Sequence, residues 1–356
     1  MLSRICMKKP DVLENDDTRA WFTELERHHM GQFSMAAYQA NSIMEDYSQV
    51  EVGDNSLFVG IYDGHDGTNA AKFISHHILE ELSWLIRENN NVMSVKLLRE
   101  AVAATEEKFT DVVIDNKDNN PGLMLTGSCC LITLIYKGTL YTANLGDSRA
   151  VLGKDNFLDK YQLEVQPITR DHNCEDVYNN RGLLIVKFPD DPTILWKDEN
   201  GWKVRGLSKD TGTIGDVYIK RSLTYLPKYK DVSLPTRVSD LSSKPIINSR
   251  VIRYFDKFLI LASRGFWKIM TNEEAVAIVG RCFRRAGIAK ILLRKALEKV
   301  AAKEKISYKD IVCSADRKKF HDDITIIVVF LDLDKHDKPL WKKNVPKLSF
   351  KAPSHT

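Results

Sequence analysis

The sequence predicts an α+β protein, a sandwich of two antiparallel β-sheets with helices on its outer faces. Three observations lead there. The β-rich runs come in consecutive groups instead of alternating one for one with helices, which disfavours a doubly wound parallel sheet. Lys137-Gly138 and Gly146-Asp147 are turn signals between short apolar runs, the pattern of a meander. No internal repeat of fixed period appears along the chain.

Taken in order, residues 1–29 are polar and charged around an Ala20-Trp21-Phe22 patch, and they read as an extension packed over the edge of a domain spanning residues 30–334, with its core starting near Gly31. Ser56 to Tyr62 is a β-rich run stopped by Asp63-Gly64-His65-Asp66-Gly67, and Asn69 to Glu88 then carries apolar residues at helical spacing. A second helix is expected over Val92 to Val113, with Val95, Leu98, Val102 and Phe109 on one face. Ser128 to Tyr136, Leu140 to Ala143 and Arg149 to Leu152 form three successive strands. Between Gln166 and Arg237 the pattern weakens into short strands and polar loops, a region long enough for a specificity flap. Order returns with a strand over Phe255 to Ala262, helices over Asn272 to Phe283 and Gly287 to Lys303, and a last strand over Ile324 to Leu331. The basic, proline-dotted stretch 335–356 is predicted to be a mobile tail.

Composition narrows the function. At 356 residues, 43% hydrophobic and 28% charged, the chain can enclose a core without metal or disulfide staples. Its 52 basic and 48 acidic side chains are mixed along the sequence, so nucleic acid is not the expected partner. Cys6, Cys129, Cys130, Cys174, Cys282 and Cys313 form no C-x-x-C pair and no disulfide-like spacing, which points to reduced thiols in a cytosolic or nuclear setting. The N-terminus lacks an apolar stretch of signal-peptide length, and Ile324 to Leu331 is far shorter than a membrane span.

The chemistry is expected where acidic residues stand at strand ends, since a carboxylate held by rigid backbone is a ready ligand for a hard cation. Glu45-Asp46 follows an apolar Ser42-Ile43-Met44 run, Asp63 ends a strand before a glycine, and Asp322-Asp323 opens the last strand. Taken singly, each is equally a turn device or a solvated pair. An EF-hand built on Asp63 to Gly67 is rejected, because the alternating oxygen ligands and closing glutamate are missing.

Six motifs in order decide the matter: Val59-Gly60-Ile61-Tyr62-Asp63-Gly64-His65-Asp66-Gly67, Thr126-Gly127-Ser128, Ala143 to Ala150, Thr213-Ile214-Gly215-Asp216, Leu259 to Trp267, and Asp322 to Val329. Together they resemble the type 2C metal-dependent protein phosphatases. Phe33-Ser34-Met35, Gln39-Ala40-Asn41, Ser48 to Glu51, Gly127 to Cys130 and Phe320 to Asp332 are similar to the plant group-D branch. The resemblance implies a four-layer α/β/β/α sandwich in which two Mn²⁺ or Mg²⁺ ions share a water that attacks phosphoserine or phosphothreonine. By that resemblance Asp63 bridges both ions, the Gly64 carbonyl and, through water, Glu45 serve one, Asp322 serves the other, and His65 is the general acid. Asp147 matches a ligand of a weaker third ion, although a turn role is at least as good a reading; outside the motif His65 would read as a plain loop histidine. A phosphorylated protein substrate, small inhibitor proteins, a monomeric state and a cytoplasmic or nuclear location with visits to the plasma-membrane face are further implications.

Two positions depart from the family. Arg264 stands where an aspartate ligand is usual, and Lys268 where a second acidic residue is usual. Opposite charges about 4 Å apart attract by roughly 4 kcal/mol at an effective dielectric near 20, so replacing a ligand by a cation weakens an ion site by powers of ten. The Arg264 guanidinium is expected to pair with Asp63 or Asp322 in the space of the missing ion. Asn41, at the position of the family's phosphate-binding arginine, is shared with group-D relatives and argues nothing. Two readings follow: a protein phosphatase impaired by Arg264 and Lys268, and a pseudophosphatase that keeps the fold as a binding or regulatory module.

Overall fold

The structure, a computed structural model, describes residues 19–159, 162–172, 195–198, 201–204, 212–221, 243–340 and 347–353. Most of the 166–237 region, residues 1–18 and parts of the C-terminal tail lie outside the described residues.

Strands β1 (Ala20–His28), β2 (Gly31–Tyr38), β3 (Asp46–Gly53) and β4 (Ser56–His65) are followed by helices α1 (Asn69–Glu88) and α2 (Val95–Asn116). Next come β5 (Gly127–Ser128), β6 (Cys130–Tyr136), β7 (Thr139–Leu145), β8 (Arg149–Asp155) and β9 (Leu163–Pro167). A hairpin of β10 (Leu195–Asp198) and β11 (Gly201–Val204) precedes β12 (Ile214–Gly215) and the short helix α3 (Val217–Arg221). The chain continues through β13 (Ile246–Val251), β14 (Asp256–Ala262), α4 (Arg264–Trp267), α5 (Asn272–Arg281), α6 (Ile288–Glu304) and α7 (Tyr308–Cys313), and ends in β15 (Ile324–Phe330) and β16 (Leu348–Ala352).

The strands make two antiparallel sheets besides the hairpin. One runs β1-β2-β15-β14-β8-β9; the other runs β12-β5-β4-β6-β7-β13, with β3 joining β4 to β16. Period-two alternation sorts the side chains into layers. On β14, Leu259 and Leu261 enter the core between the sheets, with Leu57, Val59 and Ile61 from β4. Phe258, Ile260 and Ala262 face outward onto α5 and α6, among Val276, Leu292 and Leu293. Phe58 and Tyr62 of β4 face the other way onto Ile74, Ile78 and Leu98 of α1 and α2. Both sheets are thus buried on both faces, giving four layers, α/β/β/α, the predicted class.

Helix ends follow their caps. The Ser94 hydroxyl accepts from the Leu97 amide, so α2 starts three residues later than expected. At α5 and α7, Thr271 with Glu274 and Ser307 with Asp310 form capping boxes.

Two boundaries differ from expectation. Ala20–His28 is an edge strand paired antiparallel with β2 through a bulge between Thr23 and Glu26, its Phe22 and Leu25 packed on the α5–α6 core, so this part of the expected extension belongs to the sheet. In the expected mobile tail, Leu348–Ala352 pairs with β3, because its alternating Leu348, Phe350 and Ala352 fill the inter-sheet core; the Phe350 ring stands edge-on to Phe33 at 5.5 Å.

Candidate functional site

The ends of β4, β7 and β14, the loop before β3 and the segment before β15 meet at one end of the sandwich. Pairing of β3 with β4 puts Asp46 opposite Asp63. Asp63 is only 6% exposed, and its Oδ2 accepts the Arg264 backbone N–H at 3.2 Å. The Arg264 guanidinium lies among three carboxylates: Nη2 is 3.9 Å from Asp63 and 3.8 Å from Asp322, and Nε is 3.8 Å from Asp147. Lys268 Nζ adds a contact with Asp322 at 3.5 Å. Arg264 and Lys268 therefore both point into the cluster.

Burial pushes Asp63 up to about 7; Arg264 opposes the shift, and Asp322 and Asp147 reinforce it. For Asp322 the balance reverses: burial would raise it, but Arg264 and then Lys268 hold it below the usual carboxylate range. Glu45 is raised, mainly by burial. Its Oε1 accepts the Gly67 amide at 2.9 Å and its Oε2 accepts Asn41 Nδ2 at 3.2 Å, while the same Asn41 group reaches Asp322 at 3.4 Å. Asp63, Asp147 and Asp322, far apart in the chain, thus surround one guanidinium, and Asn41 links Glu45 to Asp322. Gly64 is pressed against the Glu45 backbone, where an added Cβ would lie 2.7 Å from the Glu45 carbonyl oxygen.

His65 belongs to a second cluster beside the first. Its Nε2 is 2.9 and 3.1 Å from the two oxygens of Asp216, which is buried, sits at φ 50° and accepts the Thr213 hydroxyl at 2.6 Å. Burial would raise Asp216, but His65 and Thr213 hold it low. Glycine is required beneath this pair: a Cβ on Gly127 would lie 2.4 Å from both His65 Nε2 and an Asp216 oxygen. Glu106 of α2 braces the segment by accepting the Gly215 amide and Lys220 Nζ at 2.9 and 2.7 Å.

The sequence reading assigned no role to Asp216, although it lies in the Thr213–Asp216 motif, and it named Asp46 and Asp323 only as members of acidic pairs at strand ends. Asp323 accepts the amides of Ala40, Asn41 and Glu45 at 2.7, 3.0 and 2.7 Å, fixing the loop that carries Glu45. Asp46, whose carboxyl burial holds well above the usual range, accepts the Thr325 hydroxyl at 2.7 Å. Such inward-pointing roles have no signal in spacing.

The donor set does not fit a pair of divalent ions. A guanidinium occupies the space between the carboxylates that would share them, and among the described residues no three His, Cys, Asp or Glu side chains converge to hold an ion.

A family model for protein phosphatase 2C matches residues 20–178 and 198–305. The chain belongs to the protein phosphatase 2C family. "Probable protein phosphatase 2C 68" of Arabidopsis thaliana is 41% identical over 349 residues, 96% of this chain and 87% of the relative. "Probable protein phosphatase 2C 25" of Oryza sativa subsp. japonica is 42% identical over 345 residues, 94% and 86% of the two chains. The serine-threonine phosphatase 2C from Toxoplasma gondii superposes with a TM-score of 0.64 over 88% of this chain and 99% of its own, at 16% identity, and supports the phosphatase 2C fold. Within this phosphatase 2C member, the cation-filled cluster around Arg264 sits beside the His65–Asp216 pair, at the end of the sandwich that carries the motif strands.

Proposed function

We propose that this chain is a phosphoserine- and phosphothreonine-directed member of the protein phosphatase 2C family in which metal-dependent hydrolysis is impaired, so that it serves chiefly as a binding or regulatory module. The observation that carries the reading is the Arg264 guanidinium, 3.8–3.9 Å from Asp63, Asp147 and Asp322. A guanidinium neutralises carboxylates and donates hydrogen bonds, but it cannot acidify a water molecule as a divalent cation does. Family membership supports phosphorylated protein as the substrate class, and no helix among the described residues is long and apolar enough to cross a membrane.

A second reading, a weakened phosphatase working with one Mn²⁺ or Mg²⁺ at Asp63, Gly64 and Glu45, is favoured by the presence of that side of the pocket and of His65 with its Asp216 partner. Mn²⁺-dependent hydrolysis of a small aryl phosphate separates the two. The wild type should be near background and an Arg264→Asp, Lys268→Glu double variant should gain turnover. Robust wild-type turnover that Asp63→Asn abolishes would establish the second reading instead.

A further inference from the structure

We propose that Arg264 is the resident counterion of this pocket: with Lys268 on Asp322 it offsets the charges of Asp63, Asp147 and Asp322, so the domain keeps its carboxylate cluster together without a divalent cation. This deepens the reading above, and rests on its premise that residue 264 stands where an ion would otherwise sit.

The geometry is that of a cation shared among several carboxylates. Arg285, by contrast, is committed to one carboxylate: it forks onto Asp332 through two hydrogen bonds of 2.8 Å. Arg264 instead stands at nearly equal distances of 3.9, 3.8 and 3.8 Å from three carboxylates and forks with none of the three. Its side chain is 15% exposed, so the attraction is screened far less than on an open surface.

The position is also built into the backbone. The Arg264 amide is tied to Asp63, and the preceding Ser263 hydroxyl accepts the Thr325 amide at 3.0 Å. The following Gly265 leaves no room for a Cβ, which would overlap the Asp323 carbonyl oxygen at 1.9 Å. The guanidinium is therefore aimed by β14, by α4 and by the segment that carries Asp322. Removing it leaves three carboxylates with Lys268 alone, on Asp322, a cluster that either repels itself or recruits a cation from solution.

The test is thermal melting of the full chain in EDTA and in MnCl₂, together with calorimetric titration of Mn²⁺. Wild type and Arg264→Lys should melt at the same temperature in both buffers, within about 1 °C, since each keeps a resident cation. Arg264→Met and the Arg264→Asp, Lys268→Glu variant should melt about 5 °C lower in EDTA, recover in Mn²⁺ and bind Mn²⁺ in the calorimeter. Folding of Arg264→Met only with Mn²⁺ also supports the assignment. A wild-type melting temperature that rises with Mn²⁺, with the rise lost in Asp322→Asn, would overturn it, as would wild-type-like melting of Arg264→Met in EDTA. Should Arg264→Met fold in neither buffer, the wild-type and Arg264→Lys melts decide alone. Aryl phosphate turnover measured in parallel keeps the two ideas apart: wild-type turnover with metal-insensitive melting sinks impaired hydrolysis and spares the counterion, and Mn²⁺-dependent melting without turnover does the reverse.

Discussion

Two adjacent histidines sit where β1 turns into β2, and lowering the pH from about 7.5 to about 5 should weaken the fold through them. His28 is 1% exposed. Its Nε2 is 3.0 Å from the Phe330 carbonyl, which can only accept, so Nε2 carries the proton and Nδ1 is left to accept the Met30 amide at 3.3 Å. A second proton would have to go onto Nδ1, against that N–H. Burial, then the neighbouring His29, pushes His28 down to about 3, and burial pushes His29 down to about 4. Because the folded values lie below the unfolded value of 6.5, this contribution is fully present above the unfolded pKa and is lost as the pH falls toward the folded ones. One pKa unit corresponds to about 1.4 kcal/mol, so near pH 5, about 1.5 units below the unfolded value, His28 alone costs about 2 kcal/mol of stability. Glu45, Asp46 and Asp63 act in the opposite sense, because their raised pKa values favour protonation in the folded state. The readout is therefore a difference: urea unfolding of wild type and His28→Gln, whose amide can donate to Phe330 and accept from Met30. The stability gap between them should shift by about 2 kcal/mol across this pH range in the direction that penalises the wild type at low pH. Parallel pH profiles for the two proteins would refute the reasoning.

Asp323→Ala should cost about 3 kcal/mol in urea unfolding, because three backbone amides lose a charged acceptor, whereas Asp46→Asn, which can still accept from Thr325, should cost under about 1 kcal/mol. Phe350→Ala should lower stability by about 1–2 kcal/mol, since the ring packs on Phe33 at the inter-sheet core; a melting temperature equal to wild type would return this segment to a loose tail. Gly127→Ala should drive His65 and Asp216 apart, seen as a shift of the His65 ring nitrogen resonances, and unchanged resonances would show that the pair tolerates the methyl group.

Legibility in the sequence followed the range of the interactions involved. The long helices and the strands β4, β6, β7, β14 and β15 announce themselves because each buries a periodic apolar face, and periodicity is a local property. The Leu348–Ala352 strand has the same period-two pattern, but proline and lysine around it gave the stretch the look of a tail; only the partner strand β3, some 300 residues away, supplies the reason to be ordered. At the site, the family resemblance named Glu45, Asp63, Asp147 and Asp322 and drew attention to Arg264 and Lys268. The number of carboxylates that meet the guanidinium was not readable, because it depends on the register that carries β4 and β14 to the same end of the sandwich and on the turn that aims Asp147. Asp216 was hidden for the same reason: it faces His65 only because β5 bridges β4 and β12 through a glycine with no side chain to intervene. A sequence motif names the participants in a charge cluster; whether a cation already sits among them is set by contacts between strands, and that distinction separates a pocket awaiting a metal ion from one that carries its own positive charge.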